Sequence, residues 1–346
     1  MSINVAVVGA TGLVGQELLR IVEAEGPPLT KLGLFASQAS AGMRQRWLGE
    51  DHQVVALDAA DFSAYHAVFF CVGDELSARH VPSALAAGCS VIDKSSAFRL
   101  APDVPLLVVG VNDEAVTPSS RLVANPNCTT IILVHALWPL QRRFGLKRVW
   151  VATYQSASGA GAPGVRKLSA DLESAGPPDA MLGHAPGDAA SFAYNVVPAI
   201  GSLDSAGRCG EEAKLIAESR KILDEPGLPM AAHTVRVPVV VGHSMAVSVE
   251  LGQHATATDT AAALASSPDV QFIEHGCPTP VTASSHDRVE VGRLRSEDGI
   301  ENGWSFFVSG DNLRIGAALN GWRIFKLMLA AGAVSASARS TSVGRQ

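Results

Sequence analysis

The chain has 346 residues, 47% of them hydrophobic and 17% charged, with a formal net charge of -6. That length exceeds the size at which a single core stops growing, so two domains are expected. The acidic balance gives no footing for nucleic acid or an anionic membrane surface, and no apolar run approaches the roughly 18–20 residues that span a bilayer. Five cysteines (Cys71, Cys89, Cys128, Cys209 and Cys277) without a CxxC spacing argue against both a disulfide framework and a metal site. The N-terminus enters an apolar strand with no basic n-region, which completes the picture of a reduced, cytoplasmic protein.

Ile3–Val8 is a β-branched apolar run, the pattern of a strand buried on both faces. It meets Gly9-Ala10-Thr11-Gly12-Leu13-Val14-Gly15, and Leu18, Leu19, Ile21 and Val22 then recur at helical spacing. Strand, glycine turn and helix in that order predict a dinucleotide site, with the pyrophosphate on the helix N-terminus. The expected fold is α/β, with a Rossmann domain. A second strand, 31–36, ends at Ser37-Gln38-Ala39-Ser40, where NAD-specific sites place an acid to hold the ribose 2′-hydroxyl. The missing acid leans toward NADP, with Ser37, Ser40 and Arg44 or Arg46 as candidate phosphate contacts. Short apolar runs at 54–57, 67–72, 90–93 and 106–109, with a helical stretch at 76–87, extend a mainly parallel sheet. Arg99 follows the 90–93 strand end, where ligands bind in such sheets, and is a candidate anion site.

Asn125-Pro126-Asn127-Cys128-Thr129-Thr130 carries the candidate nucleophile. Proline sets the turn, Asn127 offers an N-cap, and helical spacing runs to Leu137, with Pro139 interrupting or ending it. A sulfur in the first turn of a helix is favoured as thiolate by the dipole and by unpaired N–H groups. Taken alone, Cys128 also reads as a buried small hydrophobe, the commoner fate of an intracellular cysteine.

From Lys147 the texture changes to alternation. Residues 148–155 read as a half-buried strand of an antiparallel sheet, closed by the small-residue loop Gln155-Ser156-Ala157-Ser158-Gly159-Ala160-Gly161. The long stretch 176–204 is rich in Pro, Gly and Ala and predicts an active-site or interface loop. Residues 210–223 form an amphipathic helix with Glu211, Lys214 and Glu218 on one face; by spacing alone this is a solvated charged face. Residues 233–242 and 243–251 read as strands. Arg236 is a lone cation in an apolar run and needs a partner anion if covered, and His243 opens the second strand. Further antiparallel strands follow at 270–273, 288–294 and 303–309. Asp311-Asn312 then opens a final helix from Ile315.

Taken together, Gly9–Gly15, Asn125-Pro-Asn-Cys128, Gln155-Ser-Ala-Ser-Gly-Ala-Gly161, Glu211-Glu-Ala-Lys214, Arg236 with His243, and Asp311–Asn320 resemble bacterial aspartate-β-semialdehyde dehydrogenases over about residues 3–332. The resemblance implies a Rossmann domain (1–130 plus 315–333), a catalytic and dimerisation α+β domain like that of glyceraldehyde-3-phosphate dehydrogenase (131–314), and a tail (334–346). It implies reversible reductive dephosphorylation of aspartyl-4-phosphate by NADPH, with NAD as the alternative cofactor, in aspartate-family amino-acid and diaminopimelate biosynthesis. Cys128 is then the nucleophile and His243 the general acid/base, with Gln155 orienting the intermediate. Arg236 and Glu211 hold the α-carboxylate and α-amino group, and Arg99, Lys214 and Asn127 the phosphate. Helix-terminal N–H groups beside Cys128 would stabilise the oxyanion. Gly9, Thr11, Gly12, Leu13, Val14, Gly15, Ser37, Ser40, Ser158, Gly159 and Asn312 would contact the cofactor, and the enzyme would be a homodimer.

Lys94 replaces a common Asn, Val109-Gly110 a Pro-Glu, Arg323 a Gln near the nicotinamide, and Ala39 an Arg. Asp74-Glu75 would repel a 2′-phosphate. Competing readings are an N-acetylglutamyl-phosphate reductase, a malonyl-CoA-type reductase and a non-catalytic nucleotide-binding paralogue.

Overall fold

A computed structural model describes residues 3–26, 29–178 and 189–334. Its contacts divide the chain into two compact units, Met1–Pro126 with Ala318–Gln346, and Asn127–Ala317. Of the expected tail, all but Val334 lies outside the described residues, as does the middle of the 176–204 stretch.

The first unit is built on seven strands: β1 (Ile3–Val8), β2 (Leu29–Ala36), β3 (Arg44–Trp47), β4 (Glu50–Ala56), β5 (Ala67–Phe70), β6 (Ser90–Asp93) and β7 (Leu122–Ala124). Their order is β3-β4-β2-β1-β5-β6-β7. Every pairing is parallel except the β3–β4 hairpin. The central strands are almost wholly buried, as their unbroken apolar runs require. Helices α1 (Leu13–Glu25) and α2 (Asp74–Ala86) follow β1 and β5. The helix Leu319–Ala330 returns to this unit and packs on α1.

Residues 106–109 do not form the expected strand; Leu106 makes a single bridge to Ala124. Two asparagine side chains take the place of a neighbouring strand. Asn112 accepts from Val108 N–H and donates to the Leu106 carbonyl, while Asn320 accepts from Val109 N–H and donates to the Leu107 carbonyl. A buried backbone needs partners, and side chains can supply them without β geometry.

In the second unit α3 (Cys128–Phe144) leads into β8 (Leu146–Gln155), followed by α4 (Gly161–Ala175), α5 (Gly210–Ile222), β9 (Met230–Arg236) and β10 (His243–Leu251). Then come α6 (Ala257–Ala265), β11 (Val270–Ile273), α7 (Pro280–Ala283), β12 (Val289–Ser296) and β13 (Gly303–Gly310). The sheet order is β11-β12-β13-β10-β8-β9. It is antiparallel in the middle, but β8–β9 and β11–β12 are parallel, so the all-antiparallel expectation fails at both edges. Strand β9 stops at Arg236 rather than running to Gly242, because Pro238 has no N–H for a ladder.

Pro139 lies inside α3, which continues to Phe144. The helix is buried on nearly every side from Thr129 to Leu140, and that packing outweighs the roughly 3 kcal/mol propensity cost of an interior proline. The final helix begins as a π-helical turn, Arg314–Ala318. No described helix is long and apolar enough to cross a membrane, and all five cysteines are free.

Candidate active site

Strand register assembles the site in the second unit. Gln155 pairs with Arg236 in the parallel β8–β9 ladder. In the antiparallel β8–β10 ladder Tyr154 faces Ser244, so His243 stands beside Gln155 one step further on. Side chains alternate along strands, and these three share the buried face with Val149, Val151 and Thr153. Three strand ends therefore deliver an amide, a guanidinium and an imidazole to one place.

Helix α3 supplies the sulfur. Asn127 caps it, its side chain accepting from Thr129 N–H at 2.8 Å, and Cys128 is the first helical residue. Cys128 is half-buried, with Sγ 3.3 Å from His243 Nε2. His243 is fully buried; that burial and then the charge of Arg236 push its pKa down to about 3, so the imidazole is neutral at physiological pH.

Glu211 joins the two halves of the site: its Oε1 accepts from Asn127 Nδ2 at 3.0 Å and from Gln155 Nε2 at 3.2 Å. Lys214 sits one turn later, half-buried, with no ion pair among the described residues. Glu218 corrects the solvated-face reading of α5. It is 1% exposed and accepts the Asn127 backbone N–H at 2.7 Å. That bond and the Asn127 cap occupy two of the N–H groups flanking Cys128, so they are not open to an oxyanion.

Arg236 is buried, donates from Nη1 to the Ser156 carbonyl, and has no carboxylate within 4.0 Å among the described residues. Burial lowers its pKa, while Cys128 and Glu211 pull the other way. Its backbone pairs with Val197, which gives the described part of the 189–204 stretch a buttressing role. The Ser156–Gly161 loop is pinned by Ala157 N–H to the Val239 carbonyl and Ser158 N–H to the Val240 carbonyl. Gly159 packs closely on the site: a Cβ there would lie 2.9 Å from Arg236 Nη1 and 3.1 Å from His243 Nε2, so those side chains would have to shift. Ser158 and Asn312 are both buried and bonded to each other.

The glycine loop, Ser37, Ser40 and Arg99 belong to the first unit. A cavity of about 370 Å³ is lined by Gly9, Thr11, Gly12, Ser37 and, from α2, Leu76 and Arg79. Gly9 has φ +82°, and a Cβ there would strike the Cys71 carbonyl, so the loop is shaped for close backbone approach. Leu13, Val14, Gly15 and Ser40 do not line the cavity. Arg44 and Arg46 sit on edge strand β3, with Arg44 beside Asp51.

Asp74 and Glu75 each have a partner, and that of Glu75 lines the cavity. Asp74 accepts from Ser96 N–H and Oγ, and Glu75 pairs with Arg79 at 3.2 Å. Asp58, which does line the cavity, was not anticipated. Arg323 acts electrostatically on Glu25, at the C-terminal end of α1. Arg99 is buried and donates to the Asn125 and Lys94 carbonyls. Burial pushes the Lys94 ammonium down to about 8.

Residues 4–118 match a family described as "Semialdehyde dehydrogenase, NAD binding domain", and residues 137–315 match "Semialdehyde dehydrogenase, dimerisation domain". An aspartate-semialdehyde dehydrogenase of Synechocystis sp. is 37% identical over 337 residues, 95% of this chain and 98% of the relative. The chain belongs to the aspartate-semialdehyde dehydrogenase family. Membership makes it an oxidoreductase with a dinucleotide-binding domain. The family's enzyme from Streptomyces akiyoshiensis is 39% identical over 342 residues, 94% of this chain and 98% of that one. A crystal structure of aspartate semialdehyde dehydrogenase II from Vibrio cholerae, complexed with ASA, matches with a TM-score of 0.89 and 35% identity, over 95% of this chain and 99% of that chain.

Proposed function

We propose that the chain catalyses the reversible reductive dephosphorylation of aspartyl-4-phosphate to aspartate 4-semialdehyde through a thioester on Cys128, a step supplying aspartate-family amino acids and diaminopimelate. The observation that carries this reading is a sulfur at a helix start, 3.3 Å from a buried neutral imidazole, in the same unit as a buried guanidinium with no carboxylate within 4.0 Å among the described residues. A thiolate attacks an acyl phosphate, phosphate leaves, and the thioester is reduced to the aldehyde. Arg236 takes the substrate α-carboxylate and Glu211 its ammonium; Lys214 and Arg99 take phosphate. An N-acetylated substrate would leave Glu211 without its ammonium, and an acyl-CoA would leave Lys214 without its phosphate.

The first unit fits a nicotinamide dinucleotide, because the cavity and the glycine loop leave room for a pyrophosphate at the start of α1. When bound, the cofactor supplies the hydride that reduces the thioester. NADP is the expected form: no acid ends β2, Asp74 is held by Ser96, and among the described residues Arg79 lines the cavity as a cation opposite the single carboxylate of Asp58. Purified protein given aspartate semialdehyde and phosphate is expected to reduce NADP faster than NAD, and only when phosphate is present. Absence of turnover with either cofactor would overturn the reading.

A homodimer is supported by the outer face of the second sheet. Trp150, Ala152, Tyr154, Ala246 and Phe307 lie there incompletely buried, with Tyr154 stacked on Phe307 at 6.2 Å. Tyr154→Glu is expected to convert the dimer to monomer in analytical ultracentrifugation. A wild-type chain sedimenting as a monomer would refute the dimer.

A further inference from the structure

The geometry points to Arg79 as the residue that selects a dinucleotide carrying a 2′-phosphate, with Glu75, one helical turn before it, as the partner it must leave to do so. This rests on the reading of the first unit as a nicotinamide-dinucleotide site.

In sheets of this kind the adenosine ribose lies just past the end of the second strand. Here β2 stops at Ala36, and the run that follows, Ser37-Gln38-Ala39-Ser40-Ala41-Gly42, contains no cation. Its hydroxyls and N–H groups can hydrogen-bond a phosphate but cannot neutralise one. Arg44 and Arg46, the next basic residues, stand on edge strand β3 and do not line the cavity. Arg79 does, reaching in from α2 to the same space that Ser37 and Gln38 line.

Helix geometry accounts for that placement. Side chains on a helix lean toward its N-terminus, and residues three apart share a face. Leu76 and Arg79 are so related, and both line the cavity. Leu76 is a large apolar side chain left exposed, and Leu57 meets the same space from the turn after β4. Two leucines give a base an apolar rest, and the guanidinium beside them is left for the ribose phosphate.

The charges around Arg79 permit the exchange. Glu75 Oε1 lies 3.2 Å from Arg79 Nη2, and both side chains are exposed. An i,i+4 pair in water is worth little, so giving it up costs little. A phosphate dianion offers a guanidinium two parallel charge-assisted bonds, where Glu75 makes one. Asp58, the carboxylate lining the cavity, does not hold Arg79. No ion pair joins the two within 4.0 Å among the described residues, and Asp58 Oδ1 instead lies 3.6 Å from His80 Nε2. NAD presents a hydroxyl at the 2′ position and gains nothing from either residue.

Calorimetric titration of the full-length protein with NADP and with NAD tests this without turnover. Wild type is expected to bind NADP about 10–100-fold more tightly than NAD. In Arg79→Gln that advantage should vanish while the affinity for NAD is kept. In Glu75→Gln the advantage should grow about two- to fivefold. Added salt should shrink it in wild type, since the guanidinium is exposed. Both side chains lie on the solvent side of α2, so neither substitution should disturb the fold, which a thermal melt checks. A preference for NADP that survives Arg79→Gln, equal weakening of both dinucleotides in that variant, or no gain in Glu75→Gln would each overturn the inference and leave the dinucleotide site standing. So would a wild type that binds NAD as tightly as NADP. A wild type that binds neither would strike the dinucleotide reading itself, and the inference with it.

Discussion

Cys128→Ser is expected to lower turnover of aspartate semialdehyde by roughly 10⁴–10⁶-fold, the scale seen when a catalytic nucleophile is removed. Serine matches cysteine closely in shape, and the Asn127 cap and the Glu218 bond are made by residue 127, so α3 keeps its start. What is lost is the thiolate. A hydroxyl does not ionise near neutrality, and a helix terminus with one imidazole beside it falls far short of the needed shift. Stability should move by no more than about 0.5 kcal/mol, since the replaced side chain is half-buried and keeps its hydrogen-bonding capacity. Steady-state kinetics and a thermal melt together check the claim. A folded Ser variant retaining more than about 1% of wild-type kcat would exclude Cys128 as the nucleophile.

The parallel sheet was legible because its central strands are buried on both faces and so carry unbroken apolar runs, as in residues 3–8 and 67–70. The glycine loop was legible because close backbone approach leaves no choice of residue at Gly9. Strands β3 and β7 were not, since an exposed hairpin and a three-residue strand carry too little pattern. The parallel edges of the second sheet escaped for another reason: alternation reports which face is buried, not which way the neighbour runs.

The site divides along the same line. Cys128, Arg236 and His243 are residue types that look out of place in apolar or glycine-rich settings, and they could be picked out singly. Ser156 and Glu218 could not. Each is tied to the site only through the fold: the Ser156 backbone N–H meets His243 Nδ1, and the Glu218 carboxylate reaches Asn127 N–H across 91 residues of sequence. The stripe Glu211, Lys214, Glu218 was visible, but helical spacing cannot say whether a charged face meets water or a buried helix terminus.

Arg236→Leu should separate activity from stability. A guanidinium in a covered strand end, lacking a carboxylate within 4.0 Å among the described residues, carries a desolvation cost that Cys128 and Glu211 offset only in part and that a ligand carboxylate would offset further. Leucine removes the charge-assisted pairing, worth about 3–4 kcal/mol to bound substrate, so kcat/KM should fall about 10²–10³-fold. The same substitution relieves the buried charge. Against that gain stands the Ser156 carbonyl, which loses the Arg236 donor at a cost of about 1–3 kcal/mol. The two are of similar size, so the folded state should be unchanged or modestly stabilised in denaturant unfolding. A structural arginine behaves otherwise: removing one member of a buried ion pair destabilises by about 3–5 kcal/mol. Loss of stability on that scale, with substrate affinity intact, would show that Arg236 holds the fold together and that the carboxylate of the substrate is bound elsewhere.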